Sequence, residues 1–134
     1  MLLQPKKSKY KKLQKSKLKQ FTYRSTNLKF GDIGLKAVKS GTITARQIES
    51  ARQSIVRKLN RKGKLWIRIF PWIPITRKPT EVRMGKGKGS VSHWGIKVSA
   101  GTVLFEICGV PIKLAIKAFR TGSAKLPVKT IISS

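Results

Sequence analysis

The chain has 134 residues and carries 31 lysines and arginines against four acidic residues, a formal net charge of +27. A compact domain with this charge repels itself unless a polyanion neutralises it, so the composition favours a nucleic-acid binder, an anionic-membrane binder or a secreted cationic peptide. One cysteine excludes an internal disulfide, and one histidine excludes a two-histidine metal site. No apolar run is long enough for a membrane span or a signal-peptide core, so we expect a soluble chain with no cleavable signal.

Residues 1–29 are predicted to form a basic arm that is disordered in water and becomes ordered on RNA, because they contain no acid and too few apolar residues for a core. Three aromatic rings lie between the charges and offer faces for base stacking: Tyr10, Phe21 and Tyr23. The alternatives are a solubility tail and a mitochondrial presequence, although a presequence would be Arg-rich and amphipathic. The charged residues are Lys6, Lys7, Lys9, Lys11, Lys12, Lys15, Lys17, Lys19, Arg24 and Lys29.

The first predicted elements are a strand and a helix. Apolar alternation from Ile33 to Val38 indicates a half-buried strand, broken at Ser40-Gly41. Thr44 and Gln47 have the spacing of a helix capping box, and Gly63 is expected to end the helix as its C′ residue. The buried face would consist of Ile48, Ala51, Ile55 and Leu59, and the opposite face would carry Arg46, Arg57 and Arg61.

Further strands surround a glycine-rich segment. Alternation over residues 65–69 predicts a strand, and Pro71, Pro74 and Pro79 predict an irregular connection after it. A short strand over residues 80–83 should enter the segment, and a strand over residues 94–98 should leave it.

Between these two strands, residues 83–90 read Arg-Met-Gly-Lys-Gly-Lys-Gly-Ser. Glycines let the backbone approach another molecule closely, and the lysines between them suit phosphate oxygens. The spacing fits neither the Walker pattern nor the dinucleotide fingerprint. We therefore expect a projecting basic loop, with a flexible hairpin tip as the alternative.

The last third of the chain predicts a strand over residues 103–107, a helix with Pro111 in its first turn, and a final strand over residues 126–132. The helix would bury Leu114, Ala115, Ala118 and Phe119 and expose Lys113, Lys117 and Arg120. Strands and helices do not alternate strictly, so the fold class is α+β, a mostly antiparallel sheet packed by two helices. Residues 30–134 would form one domain.

An enzymatic function is not expected. The four acids are scattered along the sequence, so they suggest no local pair for acid–base chemistry. Cys108 follows apolar residues and is expected to be an inert thiol, and His93 to be a loop residue that contacts RNA or has no role. No metal and no cofactor are expected.

Five segments together resemble the bacterial-type large-subunit ribosomal protein sixteen. They are Leu3-Gln-Pro-Lys-Lys-Ser-Lys-Tyr10, Thr44-Ala-Arg-Gln-Ile-Glu-Ser-Ala-Arg52, Gly63-Lys-Leu-Trp-Ile-Arg-Ile-Phe-Pro71, Pro79-Thr-Glu-Val-Arg-Met-Gly-Lys-Gly-Lys-Gly89 and Ala124-Lys-Leu-Pro-Val-Lys-Thr130. The resemblance runs in order along nearly the whole chain. It implies a structural protein of the large subunit that binds rRNA near the A site and the peptidyl-transferase region. The implied partners are large-subunit rRNA, A-site tRNA with P-site tRNA as a further candidate, and neighbouring ribosomal proteins.

The resemblance and the charge pattern together give two sets of candidate residues. The rRNA-binding set is Lys6, Lys7, Lys9, Tyr10, Lys11, Lys12, Arg46, Arg52, Arg57, Arg61, Lys64 and Arg68. The tRNA-facing set is Arg77, Lys78, Arg83, Met84, Gly85, Lys86, Gly87, Lys88 and Gly89, and in bacterial relatives the arginine that matches Arg83 can be hydroxylated.

The composition and residues 98–106 favour an organelle-encoded member in the mitochondrial matrix, with the chloroplast stroma and the bacterial cytoplasm as alternatives. Two other functions share the charge: a histone-like DNA binder, which would need a dimer interface or a groove-entering helix, and a cationic membrane-active protein.

Overall fold

The structure, a computed structural model, describes residues 3–18, 20–23 and 25–134. Within them the chain is α+β, as predicted, with two helices and seven strands. The strands are β1 (Ile33–Ala37), β2 (Gly41–Thr44), β3 (Lys64–Ile67), β4 (Ile73–Arg77), β5 (Ser90–Val98), β6 (Val103–Cys108) and β7 (Thr130–Ser133), and the helices are α1 (Ala45–Lys58) and α2 (Ile112–Ser123).

The strands form two antiparallel sheets where the sequence analysis expected one. The first has the order β3-β6-β1-β7, and the second has the order β2-β5-β4. One hydrophobic core joins both sheets to both helices. Its members include Leu35 of β1, Ile43 of β2, Ile55 of α1, Phe105 of β6 and Phe119 of α2.

Helix α1 begins with the predicted capping box. The Gln47 backbone N–H donates to the Thr44 hydroxyl, and the Thr44 N–H donates to the Gln47 side-chain oxygen. The predicted apolar face is buried throughout. The predicted end at Gly63 is wrong, because the helix stops at Lys58 and Asn60 takes the left-handed conformation directly after the cap residue.

The second sheet was not predicted in full. Gly41, which was expected only to interrupt the first strand, begins strand β2. Residues 73–77, which were expected to be irregular, form strand β4. Pro74 is tolerated because β4 is an edge strand, which needs ladder hydrogen bonds on one side only. Residues 80–83 form turns and not a strand, so the loop between β4 and β5 spans residues 78–89.

Helix α2 buries Ala115, Ala118 and Phe119, as predicted, with Leu114 half-buried. Pro111 lies one residue before the predicted position, as the N-cap, and its carbonyl accepts from the N–H of Leu114. The last strand is shorter than predicted. Residues 126–129 are irregular, although two of their apolar side chains reach the core.

Residues 25–31, called the strap below, cross the face of the first sheet that carries Glu106. The N–H of Val103 donates to the carbonyl of Ser25 at one end of the strap. At the other end, the N–H groups of Lys29, Phe30 and Gly31 donate to the Glu106 carboxylate. The strap thereby fixes the end of the predicted arm to the centre of the sheet.

Candidate nucleic-acid interface

The loop over residues 78–89 projects from the β4–β5 hairpin. Its base is narrow: Arg77 pairs with Ser90, and a Cβ on Gly89 would lie 2.7 Å from the Arg77 carbonyl oxygen. At its tip, Gly85, Lys86 and Gly87 all take positive φ, and a Cβ on either glycine would meet open space. Close approach of the tip to another molecule is therefore free of steric hindrance from the protein.

Every residue from 81 to 88 is exposed, as the prediction of a projecting basic loop requires. Arg83, Lys86 and Lys88 carry the positive charge, with Glu81 as the one acid of the loop. Lys78 is half-buried and donates from Nζ to the carbonyl of Gly85, which closes the loop on itself. Of the tRNA-facing set, Arg77 is the last residue of β4 and the other eight lie in the loop, with Lys78 and Gly89 at its base.

Part of the basic arm lies against this loop and the second sheet. Lys12 Nζ donates to the Lys88 carbonyl at 2.9 Å, and Lys88 Nζ donates in return to the Leu13 carbonyl. Lys97 of β5 holds the Ser16 hydroxyl at 2.8 Å. These contacts bring members of the rRNA-binding and tRNA-facing sets together on one surface, which the sequence did not predict.

The remaining charged residues of the arm are solvent-exposed wherever the structure describes them. Lys6, Lys7, Lys9 and Lys11 are exposed, and Lys9 Nζ lies 5.7 Å from the centre of the Tyr10 ring. The list of arm residues also included Lys19 and Arg24, which lie outside the described residues.

Helix α1 presents a second basic surface. Arg46, Arg57 and Arg61 are exposed, and Arg61 has a positive φ in the turn that follows the helix. Arg52 differs from them, because it is half-buried and makes a two-point ion pair with Glu49 at 2.7 and 2.9 Å. Its hydrogen bond to Glu49 holds the pKa of that carboxyl below its usual value.

The last two predicted residues are Lys64, which begins strand β3, and Arg68, which directly follows it. Lys64 is exposed, whereas Arg68 forms an ion pair with Glu106, whose side chain is fully buried. Burial alone would raise the pKa of Glu106, but hydrogen bonds from Phe30, Gly31, Lys29 and Arg68 outweigh it and hold the pKa below its usual value. Arg68 is therefore engaged inside the protein, and of the members of the rRNA-binding set it offers the least free charge.

The role of Glu106 was missed. A single acid in the apolar run over residues 103–107, in a chain with four acids, is the signal that could have revealed a buried ion pair. The sequence could not name its partners, because the strap is distant along the chain.

Neither Cys108 nor His93, the two side chains considered for catalysis or metal binding, lies in surroundings that would activate it. Hydrogen bonding to Asp32 and burial raise the pKa of the Cys108 thiol, so it stays protonated and is a poor nucleophile at neutral pH. His93 is half-buried, with Nδ1 3.3 Å from the Ser92 hydroxyl. Across the described ranges, no three His, Cys, Asp or Glu side chains are grouped so that they could hold a metal ion. In the same ranges, neither helix has the length and apolar character needed to cross a bilayer.

The family comparison and the search for relatives both place the chain among ribosomal proteins. Residues 5–133 match the family described as ribosomal protein L16p/L10e. The chain belongs to this family. The large ribosomal subunit protein uL16 of Erythrobacter litoralis is 53% identical over 129 residues, which cover 96% of this chain and 90% of the relative. Those of Bartonella henselae and Bartonella bacilliformis are each 52% identical over 129 residues, covering 96% of this chain and 94% of each relative.

Membership confirms the resemblance found in the sequence. It also confirms that the protein is not an enzyme, because the family is a structural, non-enzymatic component of the ribosome. The relatives named above are bacterial, and an organelle origin for this chain stays a prediction.

Proposed function

We propose that this protein is a structural constituent of the large ribosomal subunit that binds large-subunit rRNA close to the A site and touches A-site tRNA with its glycine loop. The match to ribosomal protein L16p/L10e over residues 5–133 supports the ribosomal part of the proposal. The observation that carries the tRNA part is the exposed loop over residues 81–88, narrow at its base and unobstructed at its tip. P-site tRNA is a further candidate for the same loop.

The rRNA part of the proposal follows from charge. The arm and the back of α1 present exposed lysines and arginines, and phosphate neutralisation would dominate their affinity. Specificity would come from RNA shape and from unpaired bases, because side chains cannot read the narrow major groove of A-form RNA. We propose that residues 1–29 form an arm that becomes ordered on RNA and that residues 30–134 form the rRNA-binding domain.

The first test is sedimentation of the tagged protein from its native source in moderate salt and then in high salt. Co-migration with the large subunit through the high-salt wash is expected for a shape-matched rRNA site. Release into the top fractions would contradict the proposal and would favour a loose polyanion binder such as a histone-like protein.

The second test addresses the loop. Arg83 makes no hydrogen bond or ion pair with the described part of the chain, so Arg83→Ala should leave folding and subunit incorporation intact. A-site tRNA binding by the purified subunits should weaken, with Lys125→Ala, an exposed basic residue outside the loop, as the control. Equal loss of incorporation and tRNA binding would contradict the assignment.

We also propose that the ribosome concerned is mitochondrial. The lysine- and isoleucine-rich composition supports an organelle gene, whereas the bacterial relatives make the bacterial cytoplasm the main competing location. Locating the gene in purified mitochondrial, plastid or bacterial DNA of the source decides between the three.

A further inference from the structure

Strand β3, the residue that follows it and the strap bring together a row of aromatic and cationic side chains that is partly open to solvent. Lys64 and Trp66 are two residues apart on β3, and Phe30 of the strap lies beside Trp66. The rings of Phe30 and Trp66 are stacked, with centroids 6.0 Å apart and an interplanar angle of 19°. Lys64 Nζ lies 5.2 Å from the Trp66 ring, and Arg68 Cζ lies 5.2 Å from the Phe30 ring. These four side chains are called the platform.

The platform is held in place from beneath. Glu106 accepts from the Phe30 and Gly31 N–H groups at 2.7 and 2.9 Å and pairs with Arg68, so the same buried carboxylate fixes the Phe30 backbone and the cation against its ring. Trp66 is opposite Glu106 in the register of β3 and β6. The sheet therefore sets the position of Trp66, and Glu106 fixes the Phe30 backbone beside it.

Phe30 is nevertheless 58% exposed. The fully buried carboxylate of Glu106 fixes the strap at Phe30, but the Phe30 ring stays largely in solvent. An isolated exposed ring would need no explanation. Phe30 stacks on Trp66, has the Arg68 guanidinium beside its ring and is anchored through its own backbone, and Lys64 lies beside the Trp66 ring. The pair of rings is therefore a prepared surface for a flat partner.

We infer that the platform binds an unpaired nucleobase of RNA by stacking on the Phe30–Trp66 pair, with Lys64 directed to the adjoining phosphate. Flat rings interleaved with cations are the surface that single-stranded RNA uses, because every base has a π face and every nucleotide a phosphate. Arg68 is a positioning residue here, since its charge is committed to Glu106. The inference rests on the proposed RNA-binding function and adds a site outside the loop and the arm.

The chain allows a direct optical test, because it has only three tryptophans, Trp66, Trp72 and Trp94. In the full chain with Trp72→Phe and Trp94→Phe, all tryptophan emission comes from Trp66. The probes are a uridine oligonucleotide of about eight nucleotides and an abasic sugar–phosphate oligomer of the same length. Base stacking predicts that the uridine oligomer quenches Trp66 and that the abasic oligomer does not.

The matched control retains Trp72 as the single tryptophan in place of Trp66, because Trp72 is exposed and lies outside the platform. Quenching of Trp72 with none of Trp66, or equal effects of both oligomers on Trp66, would overturn the inference.

A second variant separates stacking from packing. Phe30→Leu keeps an apolar side chain but removes the π face, and should weaken uridine-oligomer binding about fivefold or more while leaving abasic-oligomer binding unchanged. Phe30→Trp should restore affinity, and Phe70→Leu, an exposed ring with no stacked neighbour among the described residues, should have no such selective effect. Equal loss for the two oligomers, or no loss, would contradict a base site.

Failure of this inference is distinguishable from failure of the proposed function. If the wild-type chain stays with the large subunit in high salt but Trp66 of the single-tryptophan variant is not quenched, the ribosomal function stands and the platform does not. A wild-type chain that is released in high salt loses the ribosomal function whatever Trp66 does.

Discussion

At the scale of single residues, Glu106 shows how a strongly basic protein can use one of its few acids. A buried carboxylate is costly unless hydrogen bonds and an opposite charge surround it. Here backbone N–H groups of the strap and the Arg68 guanidinium supply both. The carboxylate thus ties a segment near residue 30 to the middle of the first sheet.

Replacing Glu106 with glutamine should destabilise the protein by about 3 kcal/mol, because Arg68 would then be a largely buried charge without its partner. Urea unfolding followed by tryptophan fluorescence measures the change. Glu81→Gln is the control, since Glu81 is exposed on the loop and its replacement should change the free energy of unfolding by less than about 0.5 kcal/mol. Equal effects of the two variants would argue against the buried ion pair.

Glu106 should also make stability depend on pH. Its folded pKa lies below the ordinary value of 4.5 that it takes in the unfolded chain. The stabilisation is therefore complete above that value and is lost as the pH falls through the lowered folded pKa. The difference in free energy of unfolding between wild type and Glu106→Gln should shrink over that acid range, and a constant difference would contradict the assignment. Other acids titrate in both proteins and cancel.

At the scale of elements, the contact between α1 and α2 depends on Gly122. A Cβ at this position would lie 2.5 and 2.7 Å from Cγ1 and Cδ1 of Ile55, which is fully buried. Alanine normally favours a helix over glycine by about 1 kcal/mol, but overpacking a core costs about 1–3 kcal/mol. The two effects oppose each other, and the stiff Ile55 side chain decides the sign.

We therefore expect Gly122→Ala to destabilise the protein by about 1 kcal/mol, although it raises helix propensity. Thermal unfolding by circular dichroism measures the loss. Lys117→Ala, on the exposed face of α2, adds no overpacking and should change the free energy of unfolding by less than about 0.5 kcal/mol. Restored stability in the double variant with Ile55→Val would support the packing explanation, and a stabilised single variant would refute it.

The sequence predicted best the elements with strong local signals. The capping box at Thr44 and the apolar faces of both helices were correct because neighbouring residues determine them. Strand β4 was missed because Pro74 disfavours a strand unless the strand lies at an edge, and edge position is a property of the whole sheet. The helix end was misplaced because Asn60 accepted the positive φ that glycine usually takes.

In the candidate site, too, features set by neighbouring residues were predicted and features set by distant contacts were not. A run of alternating glycines and lysines predicted an exposed loop, and its residues are exposed from 81 to 88. Arg52 and Arg68 looked equivalent to the other arginines in sequence, but ion pairs with Glu49 and Glu106 engage them. Contacts between distant segments, such as Lys12 with Lys88, leave no local pattern in the sequence.

At the scale of the whole molecule, the high positive net charge is the main determinant of the proposed RNA binding. The described contacts of the arm pair lysine amines with carbonyl oxygens, so they reduce little of the net charge of +27. Removing residues 2–18 takes away seven lysines and leaves the strap and both sheets. The thermal unfolding transition should persist, while the salt dependence of rRNA binding becomes shallower by about 0.7–0.9 in log–log slope for each lost phosphate contact.

A truncated chain that loses its unfolding transition would show that the arm is part of the core structure. An unchanged salt slope would show instead that these lysines do not contact phosphate. Lys6, Lys7 and Lys9 changed together to alanine give the matched variant with the arm still present.

The strap has a consequence for synthesis at the ribosome. Its anchoring residue follows Phe30 by 76 positions, and β1 must also wait for β6 and β7 before its ladders can close. Because translation proceeds from the N-terminus, the arm and strap emerge long before Glu106 exists to hold them. Contacts of such long sequence separation make folding slow. During synthesis, the positively charged arm and strap therefore exist for a time without their contacts to the sheet. In that time any nearby RNA competes with the sheet for binding to these N-terminal residues.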